Sequence, residues 1–183
     1  ILPNFLYNPM VKLAAARGVP VFCEKPLGIH LVDCQDIIKC LRDANLKGWV
    51  AGQRKYMSQM LHARAKVAEL DPDFIHSQFT YMWGSAYGNM RWRGDRGKSG
   101  GVAVIDSGWH SLDLLSWFVG DPNAASAELR YLDDHPEIDD KASIQLCYPT
   151  ARADLLVSYT WPVNSFEFTF AKGGRVIHVD DSS

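Results

Sequence analysis

The chain has 183 residues, 47% of them apolar and 11% aromatic, enough to bury a core as an ordinary globular protein. Nineteen Lys and Arg against 21 Asp and Glu leave a formal charge of -2, which gives no basic field for nucleic acid and no basic amphipathic face for an anionic membrane. Apolar runs fall short of the ~20 residues that span a bilayer, and Cys23, Cys34, Cys40 and Cys147 lack paired spacing, reading as reduced thiols of a cytoplasmic protein.

The chain opens on Ile1-Leu2-Pro3-Asn4, without an initiator Met, as though entered in the middle of a strand. Asn8 to Arg17 is rich in helix formers, with Pro9 near the first turn and Gly18 just beyond the end, which predicts a short helix. Val19 to Cys23 is a β-rich apolar run closed by Glu24-Lys25-Pro26, the pattern of a buried strand with charges at its carboxyl end. Helical spacing recurs from Ile29 to Leu46, and Trp49 to Gly52 reads as another short strand. Helix, strand, helix, strand in this order is the pattern of a doubly wound parallel sheet.

Met57 to Leu70 predicts a third helix, closed by Asp71-Pro72-Asp73, and Phe74 to Trp83 alternates as a strand. A Gly- and Arg-rich loop follows from Gly84 to Gly101, then one strongly apolar helix from Val102 to Val119. Strands are expected at Ser126 to Leu132, Ala142 to Tyr148, Ala153 to Trp161, Phe166 to Ala171 and Arg175 to Val179. Turn signals at Pro149-Thr150 and Gly173-Gly174 suit antiparallel hairpins. The expected fold class is α/β plus α+β. Residues 1–55 would be the C-terminal part of a Rossmann-like parallel sheet, and 56–183 an open, mostly antiparallel β-sheet domain with helices on one face.

On the predicted helix from Val102, Asp106, His110 and Asp113 stand at i, i+4 and i+7, which places them on one stripe of an otherwise apolar surface. His110 can act there as general acid or base, with Asp106 setting its orientation. The same three residues could instead ligate a metal ion in a hydrolase, or His110 could be a satisfied core histidine. Lys25 follows a strand's carboxyl end, where open parallel sheets bind ligands; a solvated strand end is the plainer reading. Trp92-Arg93, in a loop with four cations from Arg91 to Gly101, could form a stacking platform and donor for a polyhydroxylated substrate, or simply a solvated loop.

Pro3-Asn4, then Glu24-Lys25-Pro26-Leu27, then Trp92-Arg93, then Gly100-Gly101 running into Asp106-Ser107-Gly108-Trp109-His110-Ser111-Leu112-Asp113 together resemble the Gfo/Idh/MocA family. Asp139-Asp140-Lys141-Ala142 stands where that family opens its sheet with an acidic-x-Ala element. The resemblance implies an NAD- or NADP-dependent dehydrogenase of a sugar, polyol or inositol-like compound. It further implies that Lys25, Asp106 and His110 are catalytic and that Pro3, Asn4, Glu24, Lys25, Pro26 and, more distantly, Gln53 contact the dinucleotide. Trp92 and Arg93, with Asp106 and His110, would contact substrate, and no metal is required. Tyr7 departs from the His that many members carry after the Pro-Asn element.

The chain has no G-x-G-x-x-G, the turn that cradles a dinucleotide pyrophosphate. The expectation is therefore a piece of a longer enzyme, whose isolated form lacks the cofactor's main anchor. A homo-oligomer through the open sheet face is expected. A non-catalytic unit built for that pairing is the alternative from another class.

Overall fold

The computed structural model describes residues 2–82 and 90–181. A 3-10 turn, Asn4–Leu6, leads into helix α1 (Tyr7–Ala15), strand β1 (Val21–Cys23), helix α2 (Leu31–Asp43) and strand β2 (Gly48–Val50). The first turn of α2 is closed by the Asp33 carboxylate, which accepts the His30 N–H at 3.2 Å. β1 and β2 pair in parallel, with Phe22 opposite Trp49 and Cys23 opposite Val50. Tyr7 and Val11 of α1 close over Cys23 together with Ile37 and Leu41 of α2.

Both helices cover the sheet face to which Cys23 points, so the expected buried strand is covered on that face alone among the described residues. Side chains alternate across a strand, and Phe22 and Trp49 on the other face are 72% and 52% exposed.

A 3-10 turn at Gln53–Tyr56 precedes helix α3 (Ser58–Leu70) and strand β3 (Phe74–Met82). The loop expected from Gly84 lies outside the described residues over 84–89. Its remainder is less irregular than the glycines suggested, with a 3-10 turn at Arg91–Gly94 and a single helical turn, α4 (Arg96–Ser99). The single helix expected from Val102 to Val119 is two pieces, a π-helical turn at Ala103–Gly108 and helix α5 (Trp109–Val119).

Strands β4 (Ala124–Leu132), β5 (His135–Cys147), β6 (Arg152–Ser158), β7 (Thr160–Lys172) and β8 (Arg175–Asp180) complete the chain. With β3 they form a six-stranded sheet ordered β4-β5-β6-β3-β7-β8. The hairpins at Pro149-Thr150 and Gly173-Gly174 join antiparallel neighbours, and β3 lies parallel to β6 and antiparallel to β7.

The strand expected from Ala153 to Trp161 is broken at Tyr159, because β6 and β7 flank β3 on opposite sides instead of running on as one strand. Helices α3 and α5 bury one face of this sheet, packing Met60, Val67, Leu114 and Leu115 against Ile75, Val157, Phe168 and Phe170. Phe168 and Phe170 stack with rings 6.2 Å apart at 12°. No described helix is long and apolar enough to cross a membrane.

Candidate active site

The two parts meet at Lys25. It stands just past the carboxyl end of β1, before a cis Lys25-Pro26 peptide, and its ammonium group reaches the π-helical turn. There it donates to the Asp106 carbonyl oxygen at 2.6 Å and forms an ion pair with Asp106 Oδ1. In a regular α-helix that carbonyl would accept the N–H four residues on. A π-helical turn shifts the bonding to i+5, so a wider turn suits a carbonyl that also serves a lysine. The Lys25 side chain is 13% exposed and that of Asp106 32%.

Asp106 is the polar centre. Its other oxygen, Oδ2, accepts the Tyr159 hydroxyl at 3.2 Å and lies 3.8 Å from Arg93 Nε. Burial pushes the carboxyl pKa up, but the charge and hydrogen bond of Lys25, with Arg93 and Tyr159, outweigh it and hold Asp106 below the ordinary carboxylate value.

The loop glycines explain how these groups come so close. A side chain at Gly100, where φ is +78°, would meet the Ile29 Cβ at 2.9 Å and its carbonyl oxygen at 3.1 Å, so this glycine lets the segment after Lys25 dock on the sheet domain. A side chain at Gly101, with φ +135°, would sit 2.8 Å from Asp139 Oδ1.

That carboxylate, on a residue 5% exposed, clamps the start of the π-helical turn by accepting the N–H groups of Val102 at 2.6 Å and Val104 at 2.9 Å. Asp139→Ala leaves both donors without this acceptor and is expected to lower unfolding stability by about 2 kcal/mol or more. Asp139→Asn, which keeps one acceptor oxygen, is expected to cost less; urea denaturation midpoints measure both.

His110 lies in the first turn of α5 and is 7% exposed. Its Nδ1 is buried with no hydrogen-bond partner among the described residues. Burial, followed by the nearby charges of Lys25 and Arg54, pulls its pKa down to about 3, against a smaller opposing pull from Asp106, so the ring is neutral at physiological pH. Phe79 of β3 lies beside it, ring centroids 6.0 Å apart.

The expected stripe of Asp106, His110 and Asp113 is corrected. The π-helical turn breaks the 100° step on which it rested, and Asp113 pairs instead with Lys55 at 2.7 Å. No hydrogen bond joins Asp106 to His110 among the described residues, so the expectation that Asp106 orients the histidine gives way to one in which Asp106 is committed to Lys25 and Tyr159. The three do not converge as metal ligands, and no group of three His, Cys, Asp or Glu among the described residues is placed to hold a metal ion. Gly108 faces Val157 of β6, whose Cγ2 an added Cβ would meet at 3.4 Å.

Arg93 stacks on its neighbour Trp92 at 4.5 Å, and Trp92 meets Phe5 edge-on at 6.4 Å, so this pair spans from the N-terminal turn to Asp106. Pro3 and Asn4 lead into that same turn. Glu24 lines a cleft of about 270 Å³ at the end of β1, with Leu2, Tyr7, Met10 and Phe22 among its walls. Gln53 is exposed on its 3-10 turn.

The neighbours of Gln53 carry the contacts that sequence spacing did not signal. Lys55 holds Asp113, and the Arg54 guanidinium lies 4.0 Å over the Phe166 ring and 5.0 Å over Phe79. Tyr159 was also missed; it belongs to no motif, and only the fold brings it to Asp106, while Ser107 stands inside the motif at a position to which no role was assigned.

A short parallel sheet that offers a lysine to an acid-and-histidine helix on a larger mixed sheet is a two-part architecture with its polar site at the junction. The family comparison agrees along both parts: residues 1–51 match the model described as "Oxidoreductase family, NAD-binding Rossmann fold", and residues 71–175 match that of the GFO/IDH/MocA C-terminal domain. The chain belongs to the GFO/IDH/MocA family of oxidoreductases.

Among its relatives is 2,7-anhydro-N-acetylneuraminate hydratase of Mediterraneibacter gnavus, 27% identical over 124 residues, covering 64% of this chain and 32% of that protein. D-apiose dehydrogenase of Rhizobium rhizogenes is 23% identical over 165 residues, covering 88% and 47% respectively. The fold is shared with the WlbA dehydrogenase from Bordetella pertussis, solved with NADH and UDP-GlcNAcA, at a TM-score of 0.90 and 19% identity. That match covers 98% of this chain and 54% of WlbA. The chain thus spans between a third and about half the length of these relatives.

Proposed function

We propose that these residues form the substrate-activating part of an NAD- or NADP-dependent oxidoreductase that interconverts a hydroxyl and a carbonyl on a sugar, polyol or inositol-like substrate. The observation that carries this reading is the meeting of Lys25 with Asp106 in the same site as His110, whose Nδ1 has no hydrogen-bond partner among the described residues. A neutral imidazole can accept a proton at its unprotonated nitrogen, and a lysine ammonium in the same site stabilises negative charge developing on a substrate oxygen.

In this reading Lys25 donates to the reacting oxygen while His110 takes the hydroxyl proton. Asp106 keeps the ammonium in place, and Trp92 with Arg93 forms the substrate wall. Precise placement of these groups is itself a large share of rate enhancement.

The residues present fit the nicotinamide end of a dinucleotide. The cleft along β1 has apolar walls and one carboxylate, Glu24, a suitable lining for a flat polar ring. A bound nicotinamide dinucleotide supplies the acceptor or donor of the substrate's hydride. This sequence has no G-x-G-x-x-G turn of the kind that receives a pyrophosphate.

The test is a calorimetric titration of the full-length protein with NAD(H) and NADP(H), followed by turnover on a panel of sugars and polyols. Binding of one dinucleotide with turnover of at least one substrate is expected. Failure to bind either dinucleotide overturns the reading.

A further inference from the structure

Asp106 Oδ2 is held by a residue to which the reaction above gives no part. Tyr159 sits at the bend between β6 and β7 and is 0% exposed. Its backbone N–H donates to the Asp140 carbonyl at 2.8 Å, fixing the bend, and its ring lies 4.5 Å from that of Tyr81 on β3. The ring is therefore locked by core packing before its hydroxyl meets any partner. That hydroxyl accepts from Ser107 Oγ at 2.9 Å and donates to Asp106 Oδ2 at 3.2 Å.

Ser107 is the next residue after Asp106 in the same π-helical turn. One phenol thus binds two consecutive side chains of the turn that carries the catalytic carboxylate. A carboxylate with one oxygen fixed to a rigid donor can present the other in one direction only.

We propose that Tyr159 is a positioning residue for the oxidoreductase reaction, aiming the Asp106 carboxylate at Lys25 through the Ser107–Tyr159–Asp106 hydrogen-bond chain. The inference rests on the reading of Asp106 and Lys25 given above. It assigns a role in the chemistry to the mixed sheet itself, because the bend at Tyr159 exists only where β6 and β7 part to admit β3.

Burial, then the neighbouring Asp106 carboxylate, pushes the phenol's pKa well above its ordinary value, so the hydroxyl keeps the proton that it donates. The charged and titratable groups facing Asp106 are Lys25 beyond β1, Arg93 on the 91–94 turn, His110 at the start of α5 and Tyr159 itself, with Tyr81 and Tyr7 further out. A hydrogen bond donated to a carboxylate favours its ionised form, so losing this one raises the Asp106 pKa.

The experiment compares Tyr159→Phe with the wild type in the full-length protein, with two readouts. The first is the Asp106 titration, followed by carbon NMR of labelled aspartate. The second is the pH profile of kcat, with KM for the dinucleotide. Tyr159→Phe is expected to raise the Asp106 pKa by about 0.5 to 1 unit, to move the acid limb of kcat upward by the same amount, and to lower kcat about tenfold. KM for the dinucleotide is expected to stay within about twofold of the wild type.

Replacing Tyr159 with 3-fluorotyrosine, a more acidic and nearly isosteric donor, should move the carboxyl pKa the opposite way. It also serves as the test if Tyr159→Phe fails to fold. Opposite shifts in the two variants are not produced by loosened packing alone. An Asp106 titration unchanged in both variants overturns the proposal. If the wild type turns over no substrate, the functional reading fails alone, and the Asp106 titration still decides the role of Tyr159.

Discussion

Lys25→Met is expected to lower turnover of the full-length protein by about 10²- to 10³-fold, the usual effect of removing one preorganised donor from a developing oxyanion. Methionine keeps the length and apolar character of the lysine stem, so the loss is one of charge and hydrogen bonding more than of packing. The stability effect follows from what is left behind. Asp106 loses the partner of an ion pair that is mostly shielded from water; the full cost of such a break, ~3–5 kcal/mol when buried, is discounted here for the exposed third of the carboxylate to about 1–3 kcal/mol.

The pH dependence has a defined sign. In the wild type the Asp106 pKa is held below its ordinary value, so its contribution to stability is present above the unfolded carboxyl pKa and is lost on acidification. In Lys25→Met, burial is opposed only by Arg93 and Tyr159, so the carboxyl pKa rises from its wild-type position and the group contributes less stability at neutral pH. The stability gap between the two proteins is therefore expected to narrow as pH falls through the carboxylate range. Lys25→Met combined with Asp106→Asn is expected to recover most of the stability and none of the turnover; urea midpoints and kcat measured on the same preparations test this. A double variant no more stable than Lys25→Met would show that the ion pair does not account for the loss.

His110→Ala is expected to reduce turnover by about 10²-fold or more, the range for a lost general acid or base. Dinucleotide affinity should be nearly unchanged, since His110 lies in the first turn of α5 on the sheet-domain side of the junction. Because its pKa is pulled down to about 3 by burial and by Lys25 and Arg54, the kcat/KM profile of the wild type should carry no limb near pH 6.5 that disappears in the variant. A limb there that vanishes in His110→Ala would mean that the histidine titrates freely and faces water. Unchanged turnover across the substrate panel would remove it from the chemistry.

Much of this architecture is written in local pattern. Pro9 and Gly18 frame α1, and Gly120 closes α5, each by an effect of backbone conformation that needs no knowledge of the rest of the chain. The alternation from Phe74 and the turns at Pro149 and Gly173 likewise identify strands and hairpins. The motif residues Lys25 and Asp106 did meet.

What the sequence could not display is long-range pairing. The periodicity from Val102 to Val119 is that of a continuous helix, yet the Asp139 clamp and the Lys25 contact accompany a π-helical turn. Tyr159 reads as one more aromatic in a β-rich stretch, and its bend exists only because β3, from far earlier in the chain, lies between β6 and β7. Asp113 sits at helical spacing from His110, but Lys55 claims it. Each failure is a local rule overridden by a partner distant in sequence.

The central position of β3 also bears on how the protein is made. Phe74 pairs with Arg152 on one side and Ala171 on the other, so at a ribosomal rate of ~5–20 residues per second β3 emerges roughly 4 to 15 s before its first strand neighbour is synthesised. Neither long edge of this strand can be satisfied until then, and contacts this distant in sequence make folding slow. The nascent chain therefore passes through an interval in which an unpaired strand containing Ile75 and Phe79 is open to self-association. The order of strands that brings Tyr159 to Asp106 thus carries a cost in biogenesis, and chaperone capture should concentrate on that interval.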